Sequence, residues 1–351
     1  MNAAIQHPTR IGKYEVNEFL GGGMSHVYRA TDTVLGRRVA LKVLTETAMA
    51  DGDAKDRFLQ EARLASNIQH ENIISIYDFG EDGGRPFMVM EYVEGESLRA
   101  AIEGGRAGDI PERIRIARQA AKALEHIHSR KVIHRDIKPE NIHLDRMGKV
   151  RLMDFGIASA VGGGALKQGS TSGTPFYMAP EQVLGVDVTI QADIYSFGIV
   201  LYELFSGKKP FEGATVESIF EQILHQSVDL HPLLAANVPK SIIDVITRCT
   251  SKKLIERPET LTPVVTELNK ASAAEPAAPP PPAPVTPGML SPSAQRKESE
   301  VRLTMPPPPE PQEQTAAPKP SGGSAKVLLL AIAGGIGVAA VIYGIVTMTA
   351  R

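Results

Sequence analysis

The run His134-Arg135-Asp136-Ile137-Lys138-Pro139-Glu140-Asn141 carries a carboxylate and a carboxamide close together, and a second carboxylate, Asp154, stands thirteen residues after Asn141. Two carboxylates and a carboxamide presented on loops suit a hard, oxygen-liganded cation such as Mg²⁺, and one carboxylate can act as base for a hydroxyl nucleophile. Upstream, Leu20-Gly21-Gly22-Gly23-Met24-Ser25-His26-Val27-Tyr28 sets consecutive glycines between two predicted strands. A backbone of that kind can fold closely over a phosphate and offer it N–H groups, although taken alone it is more often an ordinary glycine-rich hairpin. Further on, Val39-Ala40-Leu41-Lys42-Val43 embeds one lysine in an apolar strand. A lysine there is costly unless paired, so it calls for an acidic partner and an anionic ligand. Glu61, in the helix-like Phe58-Leu59-Gln60-Glu61-Ala62, is the candidate partner.

These residues need a folded scaffold, and the composition supplies one. The chain has 351 residues, which at roughly 150 residues per domain suggests about two folded units. With 38 Lys+Arg against 40 Asp+Glu the formal net charge is −2, without the basic surplus of a protein built around nucleic-acid phosphates. The single cysteine, Cys249, excludes an internal disulfide and any multi-cysteine metal site, and in its apolar helical run it reads as a small core residue. Residues 1–10 form a short polar tail without the apolar stretch of a signal peptide. From 11 to 270 the chain reads as one continuous globular unit. Apolar residues at Tyr14, Val16 and Phe19 predict an early strand, and Ile114, Ala117, Ala121, Leu124 and Ile127 predict a helix. His126, His128 and His143 are scattered around the 134–141 run and are not read as a metal cluster.

The character then changes. Residues 271–320 hold 15 prolines, including the runs Pro279–Pro282 and Pro306–Pro309. Such a stretch cannot donate ladder hydrogen bonds or bury apolar area, so 271–326 reads as a disordered, partly extended linker. It serves as a spacer or, alternatively, as a ligand for aromatic-grooved domains. Val327 to Thr349 follow with 23 uncharged residues. As a helix they span about 35 Å, enough for a hydrocarbon core of about 30 Å, so 327–349 reads as a transmembrane helix and not as a buried globular one. Ala331, Gly335 and Ala339 recur at i+4, a spacing that admits a homodimer contact. Residues 350–351 close the sequence.

Three further segments complete a pattern: Ala179-Pro180-Glu181, Asp193-Ile194-Tyr195-Ser196-Phe197-Gly198 and Glu256-Arg257-Pro258. With them, the stretch from Tyr14 to about Leu268 resembles the eukaryotic-type protein kinase family. Gly23-Met24-Ser25, Phe87-Met88-Val89-Met90-Glu91-Tyr92 and Gly173-Thr174-Pro175 resemble its bacterial transmembrane serine/threonine members. The resemblance implies an α+β, two-lobed protein kinase fold, with a small lobe over 11–90, a large lobe over 91–270 and ATP in the cleft between them. Leu20, Gly21, Gly22, Gly23, Ser25, Val27 and Ala40 would enclose the nucleotide. Lys42 would hold its α- and β-phosphates and pair with Glu61. Met90 would be the gatekeeper, with Glu91 to Val93 as the hinge that bonds adenine. Asp136 would orient the substrate hydroxyl and take its proton, and Lys138 would stabilise the transferring phosphoryl group. Asn141 and Asp154 would ligate Mg²⁺, for which Mn²⁺ could substitute.

The same resemblance assigns Arg135 to an activation-loop phosphate, with autophosphorylation at Thr171 and, less favoured, at Ser170 or Ser172. Glu181 and Arg257 would form a buried ion pair, and Asp193 would anchor the backbone of the 134–141 loop. Lys138 and Thr174 favour Ser/Thr over Tyr as acceptor. One departure stands out: the glycine loop is one residue shorter than the usual Gly-x-Gly-x-x-Gly-x-Val, with Ser25 at the third glycine's place. The expected protein is therefore an ATP-dependent serine/threonine kinase of protein substrates. It would be tail-anchored in the cell membrane by a single pass through 327–349, with the kinase in the cytoplasm and no nucleic-acid partner. Lys319 and Lys326 against Arg351 agree with that orientation only weakly. The rival readings are a pseudokinase scaffold and a membrane anchor whose proline-rich stretch recruits adaptors.

Overall fold

The computed structural model describes residues 7–154 and 175–273 of the chain. Ser170, Thr171, Ser172 and Thr174 lie outside the described residues, as do the proline-rich stretch from 274 onward and the 327–349 segment. No helix among the described residues is long and apolar enough to cross a membrane.

The first part of the chain is sheet-rich. Strands β1 (Arg10–Ile11), β2 (Tyr14–Gly22), β3 (Ser25–Asp32), β4 (Arg37–Leu44), β5 (Ile76–Asp82) and β6 (Arg85–Glu91) form one antiparallel sheet in the order β1-β2-β3-β4-β6-β5. Helices α1 (Glu46–Met49) and α2 (Ala54–Ser66) connect β4 to β5. The central strands β4 and β6 are apolar on both faces because both faces are covered. Tyr14, Tyr28, Val39, Leu41, Phe87 and Val89 pack together in one cluster, while Leu44 and Met88 pack against Ala54, Phe58 and Ala62 of α2.

The alternation read in Tyr14, Val16 and Phe19 does not run through β2. Its register shifts between Val16 and Glu18 and again between Phe19 and Gly21. Each extra residue turns the following side chains to the other face. The first shift sets Phe19 opposite Tyr28, on the face that Tyr14 and Val16 share, where it is 40% exposed and stacks on His7, their ring centroids 4.2 Å apart.

The rest is mainly helical. Strands β7 (Gly95–Ser97), β8 (Ile142–Asp145) and β9 (Val150–Leu152) make a small antiparallel sheet. Around it stand α3 (Leu98–Glu103), α4 (Ile110–Ser129), α5 (Pro180–Leu184), α6 (Ile190–Ser206), α7 (Val216–His225), α8 (His231–Ala235), α9 (Lys240–Cys249) and α10 (Thr262–Ala273). The carboxylate of Asp109 caps α4 by accepting from the N–H of Glu112, and the stripe Ile114, Ala117, Ala121, Leu124, Ile127 is wholly buried. Helix α6 is buried at every position from Ala192 to Phe205, as befits a helix surrounded on all sides. It approaches α9 closely because Gly198 has no side chain: a Cβ there would lie 2.7 Å from Cβ of Cys249. Cys249 is fully buried, and burial pushes its thiol up to about 12, which fits an inert core residue. The sheet-rich and helical parts meet in an apolar seam of Ala40, Ile74 and Met90, with Tyr92, Val93 and Met153 against it.

Candidate active site

Lys42 lies on β4 directly opposite Val27 of β3, under the glycine hairpin. Its Nζ donates to Oε1 of Glu61 at 2.7 Å and to Oδ1 of Asp154 at 2.9 Å. Glu61 is a buried position of α2, whereas Asp154 follows β9 on the other side of the cleft, so one ammonium ties both sides. Burial alone would lower the Lys42 pKa, but the attraction of Asp154 and Glu61 outweighs it and holds the amine above its ordinary value. Burial likewise pushes the Asp154 carboxyl up, and Lys42 more than reverses this, so Asp154 stays ionised. For Glu61 burial dominates and raises the carboxyl, with Lys42 pulling against it.

The 134–141 loop faces this group. Nζ of Lys138 is 2.7 Å from Oδ2 of Asp136, and Nδ2 of Asn141 donates to the backbone oxygen of Asp136 at 2.8 Å and to Oδ2 at 2.9 Å. With Nδ2 turned to Asp136, the amide oxygen of Asn141 is the atom left for a cation. That oxygen and the Asp154 carboxylate are hard donors of the kind Mg²⁺ takes, so the residues present fit that ion. Asp136 remains over a third exposed at its side chain, accessible to an incoming hydroxyl.

A buried aspartate holds the loop in shape. Asp193 accepts from the N–H groups of His134 and Arg135, each at 2.7 Å, and its Oδ2 lies 2.8 Å from Nε2 of His128. Arg135 and Asp154 both sit in the left-handed region, at φ 67° and 46°, a strained conformation for residues with side chains. His134 is fully buried, and burial lowers its pKa so that it is neutral. The bonding fixes its tautomer: Nε2–H donates to the Met153 oxygen at 3.0 Å, and Nδ1 faces the Asp136 N–H at 3.4 Å.

On the base side, Ala40 and Met90 are direct cross-strand partners. The carboxylate of Glu91 is turned away and accepts from Nη2 of Arg151 at 2.8 Å, while its N–H donates to Ser75. Leu20, exposed, precedes Gly21 at φ 137° and Gly22 at φ 150°, and Gly22 pairs with His26 to leave Gly23, Met24 and Ser25 between them. A Cβ on Gly22 would lie 2.1 Å from the Ser25 oxygen and 2.8 Å from the His26 Cα, both backbone atoms. Nothing lies within 4 Å of a Cβ on Gly23. Gly22→Ala is therefore expected to weaken nucleotide binding by at least tenfold, a figure of the size that backbone strain alone supplies. Gly23→Ala should stay within about threefold of wild type by the same reasoning. Titration of each variant with MgATP checks the contrast.

Two ionic groups complete the site's surroundings. Glu181 of α5 meets Arg257 through two bonds of 2.7 and 3.0 Å, with both side chains buried. Arg99 of α3 binds Glu140 at 2.9 Å and Glu203 of α6 at 2.5 Å, and also meets the hydroxyl of Tyr177. The sequence reading missed this second group, although Glu203 stands alone in an otherwise apolar helical run, and that isolation was a usable signal. It also missed Arg151, whose role is visible only through the pairing of β8 and β9.

Comparison with known proteins gives a consistent picture. Residues 14–268 match the family described as the protein kinase domain. The chain is 37% identical to serine/threonine-protein kinase PrkC of Bacillus subtilis over 266 residues, covering 75% of this chain and 41% of that protein. It is 42% identical to a probable serine/threonine-protein kinase of Streptomyces coelicolor over 219 residues, 60% of this chain and 32% of that protein. It is 37% identical to serine/threonine-protein kinase PknE of Mycobacterium bovis over 259 residues, 73% of this chain and 45% of that protein. The chain thus spans between about a third and a half of the length of these relatives.

Proposed function

The chain belongs to the protein kinase family, and we propose that it transfers the γ-phosphoryl group of ATP to serine and threonine hydroxyls of proteins while tethered to a membrane. The observation that carries this reading is the single constellation formed by Lys42 between Glu61 and Asp154, with Asp136, Lys138 and Asn141 facing it. Lys42 holds the α- and β-phosphates, its ammonium fixed by Glu61. Ala40, Met90, Val93 and the backbone of Glu91 take the base, and Leu20, Gly21, Gly22, Gly23, Ser25 and Val27 cover the phosphates. Asn141 and Asp154 would hold Mg²⁺, which would neutralise charge on the phosphate oxygens. Asp136 orients the acceptor hydroxyl and takes its proton, while Lys138, already beside Asp136, offsets the charge on the moving phosphoryl oxygens.

Arg135 prepares a regulatory contact. Its Nε is buried with no partner among the described residues, and a phosphate on Thr171, or on Ser170 or Ser172, supplies the anion that answers it. The uncharged 327–349 segment spans the bilayer, and the proline-rich stretch before it sets the distance between kinase and membrane.

The test uses the full-length chain in detergent with γ-labelled ATP and Mg²⁺, followed by phosphoamino-acid analysis of the chain and of a generic basic protein. Label is expected on serine and threonine. Label confined to tyrosine overturns the reading. Retained ATP binding without transfer selects the pseudokinase scaffold, which one observation favours: the N–H of Gly23 is already donated to the Ser25 oxygen at 3.1 Å and is one fewer for phosphate. In cells, the chain should stay in carbonate-washed membranes and be released on deletion of 327–349; a full-length chain in the soluble fraction overturns the tether.

A further inference from the structure

The shortened glycine hairpin ends in an unusual attachment. Strands β3 and β4 pair from Asp32↔Arg37 to Ser25↔Leu44, with Val27 opposite Lys42 two pairs before that end. The next residues beyond that ladder are Met24, in the hairpin turn, and Thr45, the N-cap of α1. Both donors of Thr45 converge on the Met24 carbonyl: the backbone N–H at 3.1 Å and the hydroxyl at 3.0 Å. The same hydroxyl oxygen accepts from the N–H of Ala48 at 3.2 Å, the first-turn bond that caps α1. The turn over Lys42 is thus tied to the strand that carries Lys42, three residues further along.

We propose that Thr45 is a positioning residue for nucleotide binding, latching the tip of the one-residue-shorter glycine hairpin so that it is held over the phosphate site before ATP arrives. The proposal rests on the kinase reading above. Its physical basis is preorganisation. A hairpin whose end carries Gly21, Gly22 and Gly23 has more backbone freedom than one with side chains there, and ordering it on binding would be charged against affinity. A loop that is closed only part of the time lowers apparent affinity by the closed fraction. Two hydrogen bonds on one carbonyl keep the tip closed in the free protein, so the ordering cost is met during folding. Because the hairpin is short by one residue, its tip has little slack with which to find the phosphates by its own motion. Thr45 does not itself reach the nucleotide, and the chemical step does not depend on it.

The test compares Thr45→Val, which keeps shape but removes the hydroxyl donor and the cap acceptor, with Thr45→Ser, which keeps both. Four quantities are read on the full-length chain: MgATP affinity by titration calorimetry, KM for ATP, kcat, and hydrogen exchange of the peptides covering 20–28 and 46–50 without nucleotide. For Thr45→Val, losing one neutral hydrogen bond at the tip should raise Kd and KM for ATP roughly three- to tenfold. Its kcat should stay within about twofold, since the interaction is made equally in ground and transition states. Exchange in 20–28 should quicken, and Thr45→Ser should match wild type in all four. Unchanged affinity, or exchange that quickens in 46–50 alone, overturns the latch and leaves Thr45 as a helix cap only. A fall in kcat at constant KM also overturns it. A wild-type chain that binds no MgATP overturns the kinase reading and the latch with it, an outcome distinct from normal binding by wild type and Thr45→Val alike.

Discussion

Asp136→Asn should bind MgATP nearly as well as the wild-type chain and transfer phosphate about 10³-fold more slowly, within the range that a positioned general base supplies. The structure explains why affinity and rate separate. Among the described residues, the Asp136 carboxylate is bonded within its own loop and not to Lys42, Glu61 or Asp154: its Oδ2 is engaged by Lys138 at 2.7 Å and by Asn141 at 2.9 Å. Asparagine fills the same volume but has no charge to orient a hydroxyl proton. It also sets a second N–H₂ group against donors that now point at a carboxylate. Lys42, Glu61 and Asp154, which hold the phosphate side, are untouched by the change. The measurement is single-turnover transfer of labelled phosphate beside nucleotide titration of the same variant. A rate within tenfold of wild type would remove Asp136 from the chemistry. Lost binding with lost transfer would show instead that Asp136 organises the whole cleft, and Asn141 would be the first place to look.

The residues that the proposed chemistry uses were legible in the sequence because such a reaction dictates their types. Lys42 stood out as a lone charge in an apolar strand, and a cation buried that way requires acids; the structure supplies two, Glu61 and Asp154. The apolar stripe of α4 was readable for a similar reason, since a helix with one covered face has a fixed period. What could not be read depends on register. A bulge in β2 between Val16 and Glu18 sets Phe19 opposite Tyr28, and no residue type announces a bulge there. The Thr45–Met24 contact exists only because the β3–β4 pairing runs off both strand ends together. Glu91 was placed at the hinge by motif, but that its carboxylate turns to Arg151 follows from where β9 lies. The short glycine loop was visible as a missing residue, whereas its consequence, three residues between the paired Gly22 and His26 with no room for a Cβ on Gly22 beside the Ser25 carbonyl, needed coordinates.

Arg257→Met is expected to cost about 3–5 kcal/mol of stability, the range for stranding one partner of a buried ion pair. For a unit of this size that corresponds to a fall in Tm of roughly 10 °C. The guanidinium is wholly buried and every face of it is used. Nη1 and Nη2 grip the two oxygens of Glu181 at 2.7 and 3.0 Å, Nε donates to the Ser251 oxygen at 2.7 Å, and Nη1 also reaches the Gln191 oxygen at 3.0 Å. Its Cζ lies 4.9 Å from the ring centre of Tyr195. Methionine fills much of the space but leaves a buried carboxylate and two carbonyls without donors, which is the expensive half of breaking such a pair. Removing the carboxylate as well should therefore recover part of the loss: Glu181→Leu with Arg257→Met ought to be more stable than Arg257→Met alone. Thermal unfolding of the two single variants and the double variant gives the coupling. If the losses simply add, the pair is not what holds α5 to α6. If the double variant regains stability yet still transfers phosphate slowly, the pair does more than stabilise, because Gln182 of the same α5 donates to the backbone oxygen of Arg135 at 3.2 Å and so links this helix to the loop that carries Asp136.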